Sequence, residues 1–512
     1  MRFYFDQTLS HQYSDIEECQ RECRGDVGPL LPAMRDIFPP SPAEQQRIAL
    51  MGLQHVPVLY RQMITEESWL LCNPTGPGYV IVMDAAALAF FDRFRTPCTL
   101  ADLAAQARPT DQIVQATTLL FKAGLLTGTT PEQYWQEEDN SALTAWLHVT
   151  NSCNLRCSYC YIDKSQESMS QDTAYRAIDA VFRSANIHGF KRVQLKYAGG
   201  EASLRLAQVI AIHDYALQLA QQHAIALGAC ILSNGVYLSP RAMDDLKKRH
   251  IGITLSLDGI GTYQDRQRSF RHGFGSFQYV DRTIHKLLQH GMVPAISVTV
   301  SQRNIDGLPA LMEYILDHAL PFSFNYYREN QYAAHLQDLC FTEQHMIQGM
   351  KKVFKLLERR LPRYRILDSI LDKAKLVPHQ QTCGVGQNYL VIDQRGGIAK
   401  CQTTIEQTIT TIHAHDPLQL INDDRTGVRN LSVEEKEGCQ SCLWRHWCTG
   451  GCPTLTYQVT GRYDVKSPNC NIYQALFPAA LHLEALRLLT YEPPFSIERL
   501  STLQQEQQVL LI

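Results

Sequence analysis

Three cysteines stand close together in the segment Cys153-Asn-Leu-Arg-Cys157-Ser-Tyr-Cys160, directly after an apolar stretch that reads as a strand. Three thiolates on one loop can hold three irons of a 4Fe–4S cube and leave the fourth iron without a protein ligand. An open position of this kind separates a catalytic metal site from a closed structural one. A four-cysteine zinc site is the alternative, but the sequence offers no fourth cysteine nearby. The triplet therefore predicts an iron–sulfur cluster with a chemical role.

Further polar motifs follow the next apolar strands along the chain. They are Ala198-Gly199-Gly200-Glu201, Ser233-Asn234-Gly235, Ser256-Leu257-Asp258-Gly259 and the later Asp265-Arg266-Gln267-Arg268. A zwitterionic ligand needs an acidic group for its amine and a basic group for its carboxylate, and Glu201 and Arg268 would supply the two. One glycine-rich turn after a strand is uninformative because such turns are common. Four motifs in this order are a specific signal.

The spacing of the triplet, with the aromatic Tyr159 before its third cysteine, resembles the signature of the radical S-adenosylmethionine (SAM) superfamily. The later motifs are similar to that family's GGE, TNG-like, SxDG and D-x-x-R motifs, although Ala202 stands where a proline commonly follows GGE. The resemblance implies that the open iron chelates SAM and that a 5′-deoxyadenosyl radical formed by its reductive cleavage takes a hydrogen atom from a substrate. It also implies SAM contacts from a set of motif residues: Tyr159, Gly199, Gly200, Glu201, Ser233, Asn234, Ser256 and Arg268.

Seven more cysteines form a second array near the C-terminus. Their spacing runs Cys383-x12-Gly396-x4-Cys401, then Cys439-x2-Cys442-x5-Cys448-x3-Cys452, and ends at Cys470 after seventeen residues. This array resembles the SPASM pattern of radical SAM enzymes, which implies two auxiliary 4Fe–4S clusters. By that resemblance one cluster is bound by Cys439, Cys442, Cys448 and Cys470, and the other by Cys383, Cys401 and Cys452. The second set is one ligand short of four, and Cys340, a non-cysteine group or the substrate could complete it. We expect these clusters to transfer electrons, and a purely structural role is the alternative.

Composition favours a soluble protein of two or three domains. The chain has 512 residues, of which 45% are apolar and 19% charged, and its formal charge of −3 requires neither nucleic acid nor an anionic membrane as a partner. No secretory signal and no stretch of roughly 18 apolar residues is present, so we expect a cytoplasmic location. In a reducing compartment the sixteen cysteines would not form disulfides. Outside the two arrays, Cys72, Cys98 and Cys230 read as buried side chains, while Cys19 and Cys23 have no visible partners.

Strands and helices alternate through the region that holds the first set of motifs. The strand candidates are TAWLHVT, RVQLKYA, GACILS, IGITLSL, MVPAISVTV and PFSFNYY, and helices are expected at 171–185, 204–224, 239–249, 276–290 and 306–319. Repeated βαβ units predict a parallel sheet, and the resemblance implies a partial (β/α)6 radical SAM barrel with its site at the carboxyl ends of the strands. The expected fold class is α/β, with a winged-helix-like module before the barrel and a cysteine-rich SPASM region after it. The expected segments are a lead-in (1–54), the module (55–130), the barrel (140–330), a helical bridge (331–376), the SPASM region (377–475) and a C-terminal helix and tail (476–512).

The module is predicted to contain a hairpin followed by three helices. VPVLYR, ESWLLC and YVIVM read as strands around the turn NPTGPG, and helices are expected at Asp84–Phe94, Leu100–Ala107 and Thr110–Ala123, the last ending at Gly124. Residues 50–126 contain five basic and six acidic side chains, which argues against a DNA-binding winged helix. The arrangement resembles the recognition element that binds the leader of ribosomally synthesised and post-translationally modified peptides (RiPPs) at a sheet edge. A packing domain without a ligand is the alternative.

These resemblances imply a maturase that oxidatively modifies or cross-links residues of a ribosomally made precursor peptide and receives electrons from a donor such as a flavodoxin or ferredoxin. Sulfatase-maturase-type oxidation of a Cys or Ser on a protein is one alternative, against which Gln402 stands where that group has an acidic residue. A non-enzymatic iron–sulfur electron-transfer protein is another, and it would leave Glu201 and Arg268 without a purpose. No general acid or base is assigned, and the strand ends offer candidates by position alone: Tyr326, Tyr327, Arg328 and Asp393.

Overall fold

The computed structural model describes residues 1–6, 41, 43, 47, 48, 50–100, 102, 110–128, 142–333 and 335–496. Its strands in chain order are β1 (Arg2–Tyr4), β2 (Leu53–His55), β3 (Tyr60–Thr65), β4 (Ser68–Cys72), β5 (Val80–Asp84), β6 (Leu126–Gly128), β7 (Ala142–Thr150), β8 (Leu155–Cys157), β9 (Arg192–Gly199), β10 (Ala226–Ser233), β11 (Gly252–Ser256), β12 (Arg268–Phe270), β13 (Ala295–Val300), β14 (Phe322–Tyr326), β15 (Tyr389–Ile392), β16 (Gly397–Ala399), β17 (Thr410–Thr411) and β18 (Phe495–Ser496). Its α-helices are α1 (Ala85–Phe91), α2 (Thr110–Lys122), α3 (Gln171–Ile187), α4 (Leu206–His223), α5 (Pro240–Lys248), α6 (Thr262–Gln267), α7 (Phe277–Gln289), α8 (Leu308–Asp317), α9 (Glu343–Arg359), α10 (Leu367–Ile370), α11 (Pro417–Asp423), α12 (Arg445–Cys448), α13 (Pro453–Thr460) and α14 (Cys470–Tyr491). Short 3₁₀ helices lie at Asp92–Arg95, Ala202–Arg205, Ile305–Gly307, Gln337–Leu339, Gln402–Thr404 and Val433–Glu435.

Six parallel strands form the barrel, in the spatial order β14-β13-β11-β10-β9-β7. Helices α3, α4, α5, α7 and α8 connect them, at the positions where the sequence predicted helices. Within the described strands β14 does not pair with β7, so the barrel is open between its first and last strands. The predicted α/β architecture is confirmed.

Polar caps explain where several of these helices begin. Ser170, Ser239 and Thr342 each accept a hydrogen bond from the backbone N–H three residues further on, at the starts of α3, α5 and α9. Each such cap contributes about 1 kcal/mol, because it satisfies an N–H that has no partner inside the helix. The caps therefore fix the lengths of the loops between strand ends and helices, and these loops contain the site motifs.

One strand of the SPASM region extends the barrel sheet, which the sequence did not predict. Strand β15 pairs in parallel with β7 at the open edge of the barrel, and β16 and β17 continue the sheet in antiparallel fashion. Asn388 also joins this edge, since its carbonyl accepts from the N–H of Thr144 at 2.9 Å. The cysteine-rich region is consequently built directly onto the first barrel strand.

A second sheet in the N-terminal part of the chain has the order β18-β1-β5-β4-β3 and is antiparallel throughout. Strands β4 and β5 correspond to predicted hairpin strands, whereas β3 begins four residues later than the predicted strand VPVLYR. Arg2–Tyr4, in the expected lead-in segment, form β1, and the tail after α14 contributes β18. The predicted helix Leu100–Ala107 lies largely outside the described residues, as do Cys19 and Cys23, and the winged-helix assignment stays a prediction.

The C-terminal helix α14 joins the module to the rest of the molecule. It packs on β3, β4 and β5 of the N-terminal sheet and on α9 of the helical bridge. Leu70 and Val82 of the module lie in the same hydrophobic core as Leu481 of α14 and the barrel strands. Burial of such side chains contributes about 1.5–3 kcal/mol each, so the module is a packed part of the molecule and not a loosely tethered unit.

Candidate active site at the mouth of the barrel

The loop with the cysteine triplet follows β7 and is held beside Arg268 by a short pair of strands. Strand β8 pairs antiparallel with β12 so that Cys157 lies opposite Arg268. The thiols of Cys153, Cys157 and Cys160 lie close enough to interact electrostatically with one another. The structure thus brings the three predicted cluster ligands next to Arg268, the basic residue predicted to bind a carboxylate. More than a hundred residues separate Arg268 from the triplet in the sequence.

Burial and nearby donors act in opposite directions on the thiols of the triplet. Burial raises the pKa of the Cys157 thiol to about 12, whereas the neighbouring Arg268 guanidinium lowers it. Burial also raises the pKa of Cys153, whose sulfur accepts from the N–H of Leu155 at 3.4 Å and lies 3.8 Å from Nδ2 of Asn234. A coordinated metal deprotonates its thiol ligands outright, and these N–H groups would then stabilise the thiolate.

Glu201 ties the end of β9 to the end of β10. Its carboxylate is buried and accepts from the Ser203 N–H at 3.1 Å, from the Ser233 hydroxyl at 2.8 Å and from the Asn234 N–H at 2.7 Å. The Asn234 amide in turn donates to Asn154 in the triplet loop at 2.7 Å. Three of the predicted site residues, Glu201, Ser233 and Asn234, therefore belong to one hydrogen-bonded unit together with Ser203 and Asn154. Contact of Glu201 with the amino group of SAM stays a prediction.

Gly199 and Gly200 are required by close packing against the start of the triplet loop. A Cβ at Gly199 would lie 2.4 Å from the carbonyl oxygen of Thr150, and one at Gly200 would lie 2.3 Å from that of Ser152. The Gly200 N–H donates to Thr150 O at 2.6 Å and the Glu201 N–H to Ser152 O at 2.8 Å. These two glycines let β9 approach the loop that holds the cysteines, and both also line the cavity described below.

Arg268, Tyr159 and Asp258 form a buried polar network beside Cys157. The Tyr159 hydroxyl donates to Oδ2 of Asp258 at 2.5 Å and contacts Nη1 of Arg268, which lies 3.8 Å from the same carboxylate oxygen. Burial raises the pKa of the Asp258 carboxyl, while Arg268, Tyr159 and the Thr299 N–H lower it. Burial alone would lower the pKa of Arg268, but its negative neighbours raise it well above the ordinary value. The guanidinium therefore stays charged at the cavity wall.

Asp265, the first residue of the D-x-x-R motif, has a structural role. Its Oδ1 accepts from the N–H of Phe277 at 2.8 Å, at the start of α7. A Cβ on Gly275 would lie 2.2 Å from this carboxylate, so the loop fits tightly around it. Asp393, a candidate acid or base, is also structural, because it accepts from the N–H groups of Arg395 and Gly397 in the turn between β15 and β16.

The thiols of the C-terminal region fall into two groups in space. Electrostatic contacts join one group: Cys439, Cys442, Cys448 and Cys470. The other group is Cys383, Cys401 and Cys452, with Cys383 in electrostatic contact with the other two. Cys340 is exposed and its thiol contacts Glu329 at 3.8 Å, so it does not join the second group. Of the isolated cysteines, Cys72 and Cys230 are fully buried as expected, and Cys98 is half-buried.

One cavity of about 410 Å³ connects the barrel mouth to the second thiol group. Its lining includes every residue predicted to contact SAM, the whole triplet, and Cys383, Cys401 and Cys452. The four thiols of the other group are absent from this lining. The barrel wall of the cavity is polar, with Lys196, Thr254, Ser297 and Asn325 on neighbouring strands.

Arg328, which the sequence offered as a candidate by position alone, has specific contacts at the cavity. It follows β14 directly, donates to Oδ2 of Asp372 at 2.7 Å and contacts Cys452, whose thiol pKa it lowers although burial alone would raise it. Tyr326 and Tyr327 line the same cavity. The position of Arg328 at the end of a predicted strand identified it as a candidate. Asp372 could not be identified in this way, because it lies in a loop of the helical bridge with no motif around it.

The cavity wall presents buried polar atoms that no described residue satisfies. They are Nε1 of Trp146, Oγ1 of Thr254, Nε of Arg268, the hydroxyl of Tyr326 and Oδ1 of Asp372. Unsatisfied buried polar groups are costly, so they indicate a polar ligand here. SAM, with an amino acid end and a nucleoside end, fits this donor and acceptor set. Across the described residues, no three His, Cys, Asp or Glu side chains converge on a position for a single metal ion.

The fold and this site define an α/β barrel with a thiol triplet at the carboxyl ends of parallel strands. Residues 147–315 match the family model of the Radical SAM superfamily, the family that the motifs of this segment resemble. No helix in the described parts of the chain combines the length and apolarity that crossing a membrane requires.

Similar proteins extend beyond the matched segment. An uncharacterized protein of Archaeoglobus fulgidus is 23% identical over 356 residues, covering 67% of this chain and 82% of that protein. The antilisterial bacteriocin subtilosin biosynthesis protein AlbA of Bacillus subtilis is 24% identical over 269 residues, which is 51% of this chain and 54% of AlbA. The structure of native anSMEcpe with bound AdoMet superposes with a TM-score of 0.55 at 16% identity, over 67% of this chain and 99% of that one. This last likeness shows a shared fold.

Proposed function

We propose that this radical SAM enzyme oxidatively modifies or cross-links residues of a ribosomally synthesised precursor peptide, with two auxiliary 4Fe–4S clusters bound by the SPASM cysteines. The observation that carries the proposal is the single cavity onto which both the triplet and the Cys383, Cys401 and Cys452 group open. A substrate radical formed at the barrel mouth would lie near a second redox centre. Similarity to AlbA, a bacteriocin biosynthesis protein, supports a peptide substrate.

When bound, the reduced cluster and SAM supply a 5′-deoxyadenosyl radical that takes a hydrogen atom from the substrate. The residues of this chain bind and orient the reactants. Arg268, whose charge is supported by its contacts with Asp258 and Tyr159, would bind the carboxylate of SAM. Glu201 holds the ends of β9 and β10 in register with the triplet loop. The enclosed, polar barrel wall keeps a radical away from bulk water.

The N-terminal sheet offers one long edge for a leader peptide. At the other end of this sheet the chain's own β1 and β18 pair beside β5. Strand β3 is the terminal strand on the opposite side and, among the described strands, pairs only with β4. Its Met63 is 63% exposed, so this edge presents an apolar side chain to an added strand. A leader added to β3 as a further strand would lie near the SPASM region, because Tyr60 packs on Trp444 at 5.0 Å.

Anaerobic reconstitution of the full chain tests the core of the proposal. We expect about twelve irons, three cubes of four, together with 5′-deoxyadenosine after addition of reductant and SAM. The Cys157→Ala variant should lose SAM cleavage and about four irons. With the peptide encoded beside the gene, mass spectrometry should show loss of two hydrogen atoms for each bond formed. About four irons in the wild-type protein would contradict the auxiliary clusters, and an unchanged peptide would contradict the substrate class.

Docking on β3 is tested separately by the Met63→Asp variant. A carboxylate on the edge strand disfavours addition of another strand. We expect KM for the peptide to rise about tenfold, equivalent to about 1.4 kcal/mol, while SAM cleavage without peptide is unchanged. Leu420→Asp, which places the same charge at a 46% exposed leucine on α11, is the matched control. Equal KM values for the two variants would exclude the β3 edge.

Sulfatase-maturase-type chemistry is disfavoured by the surroundings of Gln402. This side chain lines the cavity, and its Oε1 accepts from the Tyr389 hydroxyl at 3.1 Å. A neutral amide held in this way cannot act as a base towards a Cys or Ser substrate.

A further inference from the structure

One buried lysine lies between the two thiol groups of the SPASM region. Lys436 is 2% exposed, and its Nζ donates to the carbonyl oxygen of Thr449 at 2.6 Å. The ammonium interacts electrostatically with Cys439 and Cys448 of one group. It interacts in the same way with Cys383 and Cys452 of the other.

The local sequence is built to accommodate this lysine. A Cβ on Gly450 would lie 2.5 Å from Cδ and 3.2 Å from Nζ of Lys436, and the φ of +76° at Gly450 also favours glycine. The turn before Lys436 is fixed by a capping box between Ser432 and Glu435. The Cys439 N–H then donates to the carbonyl of Lys436 at 3.1 Å. Backbone and side chain are both held in place.

Lys436 has no carboxylate to balance its charge. Within the residues that the structure describes, no Asp or Glu forms an ion pair with it, and the groups that favour its charged form against burial are four cysteine thiols. An unpaired buried ammonium is strongly disfavoured. Thiolates that ligate iron–sulfur clusters would supply the missing negative charge, and Lys436 would in turn act on both clusters.

A second buried cation contacts a thiol from the cavity side. Arg328 contacts Cys452 and is paired with Asp372 at 2.7 Å. Lys436, in contrast, is absent from the lining of that cavity. Lys436 and Arg328 therefore differ in which clusters they can influence.

We propose that Lys436 is a shared counter-cation that raises the reduction potentials of both auxiliary clusters, and that Arg328 raises the potential of the cavity-facing cluster alone. The proposal rests on the auxiliary clusters of the proposed function. Reduction adds one negative charge to a cluster, so a nearby buried cation stabilises the reduced state. Net charge and hydrogen bonds around the sulfurs are established controls of cluster potential.

Redox titration of the reconstituted full chain, followed by electron paramagnetic resonance, tests this assignment. Lys436→Met should shift the reduced-to-oxidised equilibrium of both auxiliary clusters at least tenfold towards the oxidised form, a fall of about 59 mV each. Arg328→Gln should lower one auxiliary potential and leave the other unchanged. Lys466→Met is the matched control, because Lys466 interacts with Cys439 and Cys470 but is exposed to water, and it should move neither potential.

Iron content separates the failure of this inference from failure of the proposed function. A wild-type protein with about four irons would remove the auxiliary clusters themselves. About twelve irons together with unchanged potentials in Lys436→Met would overturn only the role of Lys436.

If Lys436→Met does not assemble the auxiliary clusters, the iron contents of Lys436→Gln and Lys436→Arg show whether position 436 requires a positive charge. Iron retained by the arginine variant and lost from both neutral variants supports a required positive charge, and iron lost from all three indicates packing alone and overturns the proposal. If Lys436→Gln retains iron, its two potentials replace those of the methionine variant in the test.

Discussion

Glu201 is the residue whose predicted role and observed contacts differ most. The sequence resemblance assigns it to the amino group of SAM, whereas its carboxylate accepts hydrogen bonds from Ser203, Ser233 and Asn234. In Glu201→Gln the new amide nitrogen faces donors and cannot accept from them. The unsatisfied donor costs about 1–3 kcal/mol, so both the thermal midpoint and SAM affinity should fall.

The surface variant Glu167→Gln is the matched control for this measurement. Glu167 pairs with the exposed Arg395, and loss of such a pair should change stability by less than about 1 kcal/mol. Weaker SAM binding by Glu201→Gln at an unchanged thermal midpoint would show that Glu201 acts only as a ligand for SAM.

Tyr159 is expected to control the pH range over which Arg268 binds an anion. Its hydroxyl is one of the donors that lower the pKa of Asp258, which burial raises. Tyr159→Phe removes that donor, so the pKa of Asp258 rises further and its carboxylate is protonated at a higher pH. Protonation of Asp258 removes the negative charge that orients Arg268. The pH below which SAM affinity falls should therefore be higher in Tyr159→Phe than in the wild type.

Equilibrium binding of SAM at a series of pH values measures this shift, with Tyr161→Phe in the same loop as the control. Tyr161 is not among the groups that shift the pKa of Asp258. Identical acidic limbs in the wild type and Tyr159→Phe would contradict the proposed network.

Helix α11 attaches the SPASM region to the outside of the barrel through its capping residue. Asp416 accepts from the Ser184 hydroxyl and from the His188 ring, both at 2.8 Å, and from the Gln419 N–H at 3.3 Å. Burial alone would raise the pKa of Asp416, but these donors lower it below the ordinary value. The resulting stabilisation is present above the ordinary Asp pKa of about 3.9 and is lost as the pH falls through the lowered value.

Asp416→Asn should therefore destabilise the protein by about 1–2 kcal/mol at neutral pH, and the difference from wild type should shrink in acid. Thermal unfolding of both proteins at a series of pH values from neutral to acidic measures this difference in stability. Asp423→Asn, an exposed residue at the end of the same helix, is the control and should change little. A difference that grows in acid would contradict the assignment.

The barrel elements were predictable because each has a strong local pattern. Strand β7 is rich in apolar residues, and the barrel helices α3 and α5 begin at serine caps, so element type and order follow from neighbouring residues. Strand β1 has only three residues and is stabilised by β5 and β18, which are remote in sequence. The same holds for β15, whose place is set by β7.

Site residues were likewise predictable where their signal is local in the sequence, and not where it depends on remote segments. Cysteine spacing and strand-end motifs identified the triplet and the residues around it, because each motif is contiguous. The pairing of β8 with β12, which brings Arg268 to Cys157, depends on the tertiary fold. Lys436 gave no sequence signal, since a single lysine between cysteines reads as a surface residue until its burial is known.

The two ends of the described part of the chain, residues 1–6 and 484–496, meet at a buried cluster of charges centred on Arg487. This guanidinium donates to Glu484 at 2.7 Å and to Asp6 at 2.9 Å, and it lies 3.9 Å from Glu492. Phe3, which is fully buried, anchors β1 beside it in the module core. Deleting the module would uncover the side of α14 that packs on β3, β4 and β5, so point variants are the better tests of the assembled molecule.

Arg487→Gln should destabilise the assembled molecule more than any single surface substitution. It removes the cation with which the buried Glu484 pairs at 2.7 Å, and breaking a buried ion pair in this way costs about 3–5 kcal/mol. Hydrogen exchange should report the loss first in β1 and β18, because their pairing closes the sheet next to this cluster. Arg360→Gln, which removes an exposed pair with Asp317, is the control and should cost less than about 1 kcal/mol. Unchanged protection of β1 in Arg487→Gln would show that the two ends are held together by the apolar contacts of Phe3 and its neighbours alone.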